Sequence, residues 1–380
     1  MSSAITKTLS LLLLLGIGFL LQRKLQSKEH KEGIRTLILS LALPATIFIA
    51  LLQIEFKSGL IMIPVLSLGF NLVMHFMMDK LPLRSLVDMP VNRYRTLIML
   101  IPSLAPGLSC FPFIVEYSGQ GPLAMAALAD VGNKIFVLII SYTIAMKWYY
   151  EVNHQKSVDS RTKLKELGLA LLNEPVNLVI VAALVMLIAG MNYQSLPEMV
   201  TLSIDRLSLM MTPLILIFIG LSIRLTWDQV KSIFTFLTFR SGVAFLLSGL
   251  VLLLFPVRDA GTALLIVVFP QSACSFWPFA HMSAVTTLER KSKEEGPRTF
   301  DQEYAMNVLA CSMPLSVILI LGIYSSGDFF AKAPAVLGVA VMMILLASVI
   351  VLAGSKYINA LKGNALGLAD ELKEAEAVTR

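Results

Sequence analysis

The sequence predicts an all-α polytopic membrane protein. We expect two inverted five-helix repeats with broken, crossing helices four and nine, followed by an eleventh C-terminal helix, in an N-out, C-in topology. Three observations carry this prediction: the apolar composition, a series of apolar segments separated by alternately basic loops, and two proline-broken segments at matching positions in the two halves of the chain.

Composition excludes a soluble domain. The mean hydropathy is +0.77, and only 15% of the 380 residues are charged, whereas soluble domains carry roughly 25%. The net charge of +6 falls in short loops and not on a basic helix, so we expect the lipid bilayer as a partner and no nucleic acid. The three cysteines have neither the spacing nor the histidine neighbours of a metal site, and no metal is expected.

Eleven apolar windows are each close to the roughly 20 residues that cross a bilayer, and we number them span one to span eleven. They cover approximately residues 4–22, 36–54, 58–78, 96–117, 121–146, 173–192, 206–224, 240–256, 260–286, 303–324 and 333–355. The basic flank of span one follows its apolar run, unlike that of a signal peptide, so we expect span one to remain as a membrane helix.

The loops predict the orientation. Of the 31 basic residues, 25 fall in one alternating set of connections and in the tail. The positive-inside rule places that set in the cytoplasm.

Five spans in each half require the second half to insert upside down. The resulting domains are a first repeat (1–150), a cytoplasmic linker (151–172), a second repeat (173–325), the extra helix (326–355) and a cytoplasmic tail (356–380). Spans two and seven share a proline followed by an apolar run, and spans five and ten share an acid followed by an asparagine. Inverted repeats of this kind place a ligand site where they meet.

The two breaks mark that site. Span four contains IPSLAPGLSCFPF (101–113) and span nine contains FPQSACSFWPF (269–279). Proline interrupts a helix, and irregular backbone inside a membrane is tolerated only within protein or beside a water-filled cavity. Pro112 and Pro278 suit the first position of a restarted helix, so two opposed helix N-termini are predicted to form an anion site.

Side chains near the breaks are the candidate ligands. The predicted substrate-binding residues are Ser103, Ser109, Cys110, Pro112, Asn133, Gln271, Ser272, Ser275, Pro278 and Asn307. Asn133 and Asn307 occupy corresponding positions in spans five and ten. Single glycines (Gly69, Gly220, Gly242 and Gly249) are expected to mark close helix contacts.

Charged residues inside the spans are candidates for coupling. Asp130 and Lys134 lie four residues apart, so they share one helix face and form either a proton site with an anion ligand or a structural ion pair. Glu303 is a third candidate, although Asp301 and Glu303 also suit a helix cap. No cofactor is expected beyond a coupling ion, H⁺ through Asp130 or Na⁺ through Gln271 and exposed carbonyls.

No nucleotide loop, zinc helix or nucleophile elbow is present in the sequence, so an enzyme is not expected. The remaining interpretations are a secondary transporter or a membrane sensor that binds a ligand without moving it.

The chain resembles the auxin efflux carrier family of PIN-like membrane transport proteins. The matching stretches are LALPATIF (41–48), NEP (173–175), MTPLILIFIGLS (211–222) and ALLIVVFP (263–270). The resemblance implies a permease that moves a small organic anion or carboxylate by alternating access, with a site where helices four and nine cross, and a homodimer in the plasma membrane (the inner membrane if bacterial). The bile acid:sodium symporters are a more distant likeness. The family's Gly-Asn pair at the first break is replaced here by Leu104 and Ala105.

Overall fold

The computed structural model describes residues 3–25, 27–53, 60, 62–80, 89–153, 175–222, 227–255, 257, 259–291 and 297–351. These residues form helices and turns, and no strand occurs among them. Most of the predicted linker (from residue 154) and the whole predicted tail lie outside the described residues.

Each of the eleven predicted spans contains helix. The first six are Ser3–Leu21, Lys28–Leu37 continued by Ile38–Ala42 and Leu43–Leu52, Met62–Lys80, Val91–Leu100 continued by Pro106–Ser109 and Phe111–Ser118, Gln120–Val152, and Pro175–Ile188. The others are Glu198–Leu209 with Met211–Ser222, Trp227–Leu254, Ala260–Val268 with Phe276–Lys291, Gln302–Ser325, and Ala333–Val351.

Within the described residues, eight helices are long and apolar enough to cross a membrane. Spans one and six are shorter apolar helices, and span four is divided into pieces. The expectation of a multi-pass α-helical membrane protein is thereby confirmed. The repeat symmetry and the orientation in the membrane stay predictions.

The helices pack as two groups. In the first group, span seven contacts spans one and two, and span two contacts span six. Spans three, four, five, eight, nine and ten form a second set around the two breaks. Span two also packs along span five, so it lies at the boundary between the groups. This boundary is where the candidate site is found.

A π-helical turn interrupts span two at Ile38–Ala42 and ends two residues before Pro44. Proline has no amide hydrogen, and its ring collides with the carbonyl four residues earlier. The wider turn relieves this collision, and the Leu43 amide donates instead to the carbonyl of Ile38. A second π-helical turn occupies Phe136–Ile140 in span five.

Glycines allow the closest helix contacts. A Cβ on Gly220 would overlap the backbone of span one, and a Cβ on Gly242 or Gly249 would press against span eleven. The expectation for these three is confirmed, but it is wrong for Gly69, which has nothing within 4 Å. Gly132 in span five was not predicted, although a Cβ there would overlap the carbonyl of Pro64 in span three.

We expect Gly132→Ala to destabilise the protein, because the added methyl group forces spans three and five apart. Overpacking of this kind costs roughly 1–3 kcal/mol, so the melting temperature in detergent should fall by several degrees. Gly69→Ala, on span three, is the matched control and should melt like the parent protein. Equal melting temperatures for all three proteins would contradict the close contact.

Candidate functional site

Spans four and nine both lose helical structure where they cross. The first half of span four ends at Leu100, and helix resumes at Pro106. The first half of span nine passes through a 3-10 turn at Phe269–Gln271, and helix resumes at Phe276. The paired breaks expected from the proline pattern are therefore present.

The two breaks are hydrogen-bonded to each other. The amide of Ala105 donates to the carbonyl of Ala273 at 2.8 Å. In return, the amides of Ala273 and Ser275 donate to the hydroxyls of Ser109 and Ser103, each at 2.9 Å. Two serines of span four thus replace the helical acceptors that span nine lost.

The hydroxyls of Ser103 and Ser109 each donate a hydrogen bond as well as accept one. Ser103 Oγ also donates to the carbonyl of Leu100 at 2.6 Å, and Ser109 Oγ donates to that of Ala105 at 2.8 Å. In span ten, Ser312 Oγ accepts from the amide of Cys274 at 3.2 Å. The serines therefore position the crossing, and their hydroxyl hydrogens point to protein carbonyls.

Arg240 reaches the crossing from span eight. Its Nε donates to the carbonyl of Ile101 at 2.8 Å, and one terminal nitrogen donates to Ser272 at 2.8 Å and to Ser103 at 3.3 Å. The residue is 2% exposed. One guanidinium thus joins the ends of the first halves of both broken spans.

Asn133, in span five, binds the backbone of the break in span four through its side-chain amide. Its Oδ1 accepts from the amide of Leu104 at 3.1 Å and from Asn71 Nδ2 at 3.2 Å. Its Nδ2 donates to the carbonyl of Leu104 and to Asp130 Oδ1, both at 2.9 Å. An amide side chain accepts two and donates two hydrogen bonds, so the capacity of Asn133 is filled by the protein. In this arrangement it positions the backbone.

Asp130 and Lys134 form a buried ion pair. Lys134 Nζ lies 3.3 Å from Asp130 Oδ2 and donates to Asn177 Oδ1 of span six at 3.1 Å. Both charged residues are 6% exposed. The pair expected from the four-residue spacing is present, and it bridges the two helix groups through Asn177.

A cavity of 270 Å³ lies beside the crossing. Its walls combine residues of spans two, four, five, six and nine: Arg35, Leu39, Leu43, Leu104, Ala105, Pro106, Gly107, Leu108, Asp130, Asn133, Lys134, Val137, Val176, Ser275, Phe276, Trp277 and Ala280. Because spans two and six belong to one helix group and spans four, five and nine to the other, the cavity lies between the groups.

Arg35 is the cation of this cavity that the sequence did not predict. Its guanidinium carbon lies 5.1 Å from the centre of the Phe276 ring, at the start of the second half of span nine. Its terminal nitrogen is 3.2 Å from Glu32, an exposed residue one turn earlier. The loop prediction counted Arg35 as cytoplasmic, but the helix of span two begins at Lys28 and carries Arg35 to the cavity wall.

The structure brings only part of the predicted set to the cavity. Asn133, Ser275, Asp130 and Lys134 line it. The predicted residues that are buried elsewhere in the broken spans are Ser103, Ser109, Cys110, Pro112, Gln271, Ser272 and Pro278. Asn307 and Glu303 of span ten are not among the lining residues, and Glu303 is exposed. Asp301 caps span ten by accepting from the amide of Tyr304, as one of the two interpretations expected.

The predicted restart points are close to those observed, but one start was missed. Helix first resumes at Pro106, and a second helix begins at Phe111 with Pro112 in its first turn. In span nine, helix resumes at Phe276 with Pro278 in its first turn. A distortion at Cys110 (φ −128°, ψ −46°) divides the second half of span four into pieces of four and eight residues. Two long opposed helix N-termini are therefore not formed. The short helix from Pro106 and the 16-residue helix from Phe276 both begin at the cavity, and only the second is long.

Chemically, the site suits an anion with an apolar body. Two cationic side chains and one carboxylate line the cavity, so its formal charge is positive, and the N-terminus of a long helix adds a partial positive charge. Most of the other walls are leucine, valine and aromatic rings.

No family model matches this chain, and no curated protein matches it in sequence.

Proposed function

We propose that this protein is a secondary carrier for a small organic anion, of the auxin efflux carrier type, and that it alternates access to the cavity beside the crossing. The observation that carries the proposal is the position of the cavity between two helix groups, with a broken helix of each half of the chain meeting beside it. Movement of one group against the other would change access to such a site.

The charges favour a monocarboxylate over a dicarboxylate. Lys134 is neutralised by the buried Asp130 at 3.3 Å, whereas the partner of Arg35 at 3.2 Å, Glu32, is exposed. Because exposed ion pairs are weak, Arg35 is the cation better placed for a ligand. Arginine binds a carboxylate through two parallel hydrogen bonds. Phe276 and Trp277, which are 43% and 40% exposed, offer apolar and aromatic surface to the body of the same ligand.

The two ends of the crossing differ in packing. On the side away from the cavity, the rings of Tyr117 and Tyr324 stack with their centres 4.7 Å apart, and Ser118 Oγ donates to the Tyr324 hydroxyl at 3.2 Å. In the predicted N-out topology, the cavity lies on the cytoplasmic side and the tyrosine stack on the outer side. We therefore assign the structure to a state open toward the cytoplasm, in a homodimer of the plasma membrane or bacterial inner membrane.

Uptake into proteoliposomes tests this function. Labelled mono- and dicarboxylates would be offered with pH and sodium gradients imposed in turn, and we expect accumulation of an apolar monocarboxylate. Protein that is folded and binds such an acid without moving it would instead support the membrane sensor, and accumulation driven by Na⁺ would support a carrier similar to the bile acid symporters.

We expect Arg35→Gln to weaken binding of the transported acid about 10- to 100-fold, because hydrogen bonds to a charged group contribute about 1.5–3 kcal/mol. Arg206→Gln, at an exposed arginine of span seven, is the matched control and should bind normally. Binding would be measured by isothermal titration calorimetry with purified protein. Unchanged affinity in Arg35→Gln would remove Arg35 from the site.

A further inference from the structure

Arg240 is a buried cation whose charge needs an explanation. Among the described residues, no carboxylate forms an ion pair with it, and its hydrogen bonds go to the three carbonyls of Ile101, Ser103 and Ser272. A charge inside a membrane protein is costly unless it is paired, so these carbonyls must supply the compensating negative charge.

The carbonyls belong to two helix ends. Ile101 is the C-cap of the first half of span four, and Ser272 is the C-cap of the 3-10 turn that ends the first half of span nine. A helix C-terminus carries roughly −0.5 of an elementary charge. Two such ends sum to about −1, which matches the single positive charge of one guanidinium.

A monovalent metal ion could also compensate the charge of about −1 at these two helix C-termini. In transporters with broken helices, half-helix C-termini and unwound carbonyls are the groups that coordinate Na⁺. Here the corresponding carbonyls are bonded at 2.8 to 3.3 Å to a side chain that extends from near the middle of span eight, Trp227–Leu254.

We propose that Arg240 is a built-in cation that takes the place of a sodium ion at the crossing, so that the crossing is assembled without Na⁺. The covalently attached charge cannot leave during a cycle, and in this structure it joins both broken spans. Arg240 is in this sense a positioning residue. Its consequence for coupling rests on the proposed carrier function, whereas its role as the internal cation does not.

Thermal unfolding in detergent tests the assignment without any transport assay. Wild-type protein should melt at the same temperature in sodium chloride and in choline chloride of equal ionic strength. A saturable stabilisation by Na⁺ alone would overturn the proposal, because the folded protein would then depend on a bound sodium ion in addition to Arg240. This measurement requires no variant, so it is informative even if substitutions at Arg240 prevent folding.

Two variants test the charge itself. Arg240→Ala should lower the melting temperature by roughly 5–10 °C, and guanidinium ion at non-denaturing millimolar concentration should restore part of that loss while leaving wild-type protein unchanged. Arg240→Lys keeps the positive charge but not the planar guanidinium, so its melting temperature should lie between those of Arg240→Ala and wild type. Arg206→Ala, at an exposed arginine, is the control. It should melt at the wild-type temperature and should not be stabilised by guanidinium ion. A destabilised Arg240→Ala that guanidinium does not rescue, or one as stable as wild type, would overturn the proposal.

Failure here is distinguishable from failure of the proposed function. If no acid is taken up but melting behaves as described, Arg240 remains the internal cation of a non-transporting protein. If an acid is taken up and the melting temperature depends on sodium, the carrier function is supported and the proposed role of Arg240 is contradicted.

Discussion

Replacement of Asn133 by alanine is expected to abolish carboxylate uptake. The variant loses four hydrogen bonds at once and leaves the amide and the carbonyl of Leu104 without their partners at the break of span four. Each buried polar group left unpaired costs roughly 1–3 kcal/mol, so the break should lose its geometry. We expect uptake to fall at least ~100-fold, together with a lower melting temperature.

Asn307→Ala is the matched control, because the corresponding asparagine of span ten does not line the cavity. It should retain most of the uptake of the parent. Asn71→Ala loosens the same break from span three, where Asn71 Nδ2 also donates to the carbonyl of Pro102 at 2.7 Å, and we expect an intermediate loss. If Asn307→Ala abolishes uptake as completely as Asn133→Ala, the symmetric prediction from the sequence is the better one.

The second large effect concerns the Asp130–Lys134 pair. Removal of one partner leaves an uncompensated buried charge, which costs roughly 3–5 kcal/mol, whereas replacement of both partners by neutral residues is often close to neutral. We therefore expect Asp130→Asn and Lys134→Met each to melt well below wild type, and the double variant to recover most of that loss.

The double variant separates the two interpretations of Asp130. Because it is folded but has no titratable carboxyl at this position, pH-driven accumulation should disappear while binding of the acid persists. Uptake with and without a pH gradient would be compared in the same liposome preparation. Accumulation that survives in the double variant would show that the pair is structural only.

Features that depend on local sequence were predictable. Each of the eleven hydropathy windows contains helix, and eight of these helices are long and apolar enough to cross a membrane. The clustered prolines located both breaks to within a few residues. The four-residue spacing of Asp130 and Lys134 was sufficient to predict their pairing, which the structure contains. Each of these inferences needs only the geometry of one helix.

Features that depend on a distant partner were not predictable. Which proline restarts span four depends on where its unpaired groups find partners, and those partners lie on spans nine and five. Arg35 and Arg240 were both assigned to basic loops, because each lies just before an apolar run. Their helices extend further, to Lys28 and Trp227, which places Arg35 at the cavity wall and Arg240 at the crossing.

The hydrogen bonds between the breaks also bear on how the sequence can change over evolutionary time. Ser103 accepts from the amide of Ser275, and Ser109 accepts from that of Ala273. In the other direction, the carbonyl of Ala273 accepts from the amide of Ala105, so each half of the chain supplies acceptors to the other. If the halves arose by duplication, they could not have diverged independently at these positions. Loss of a serine in the first half would demand a compensating substitution in the second, and the crossing would be inherited as one unit.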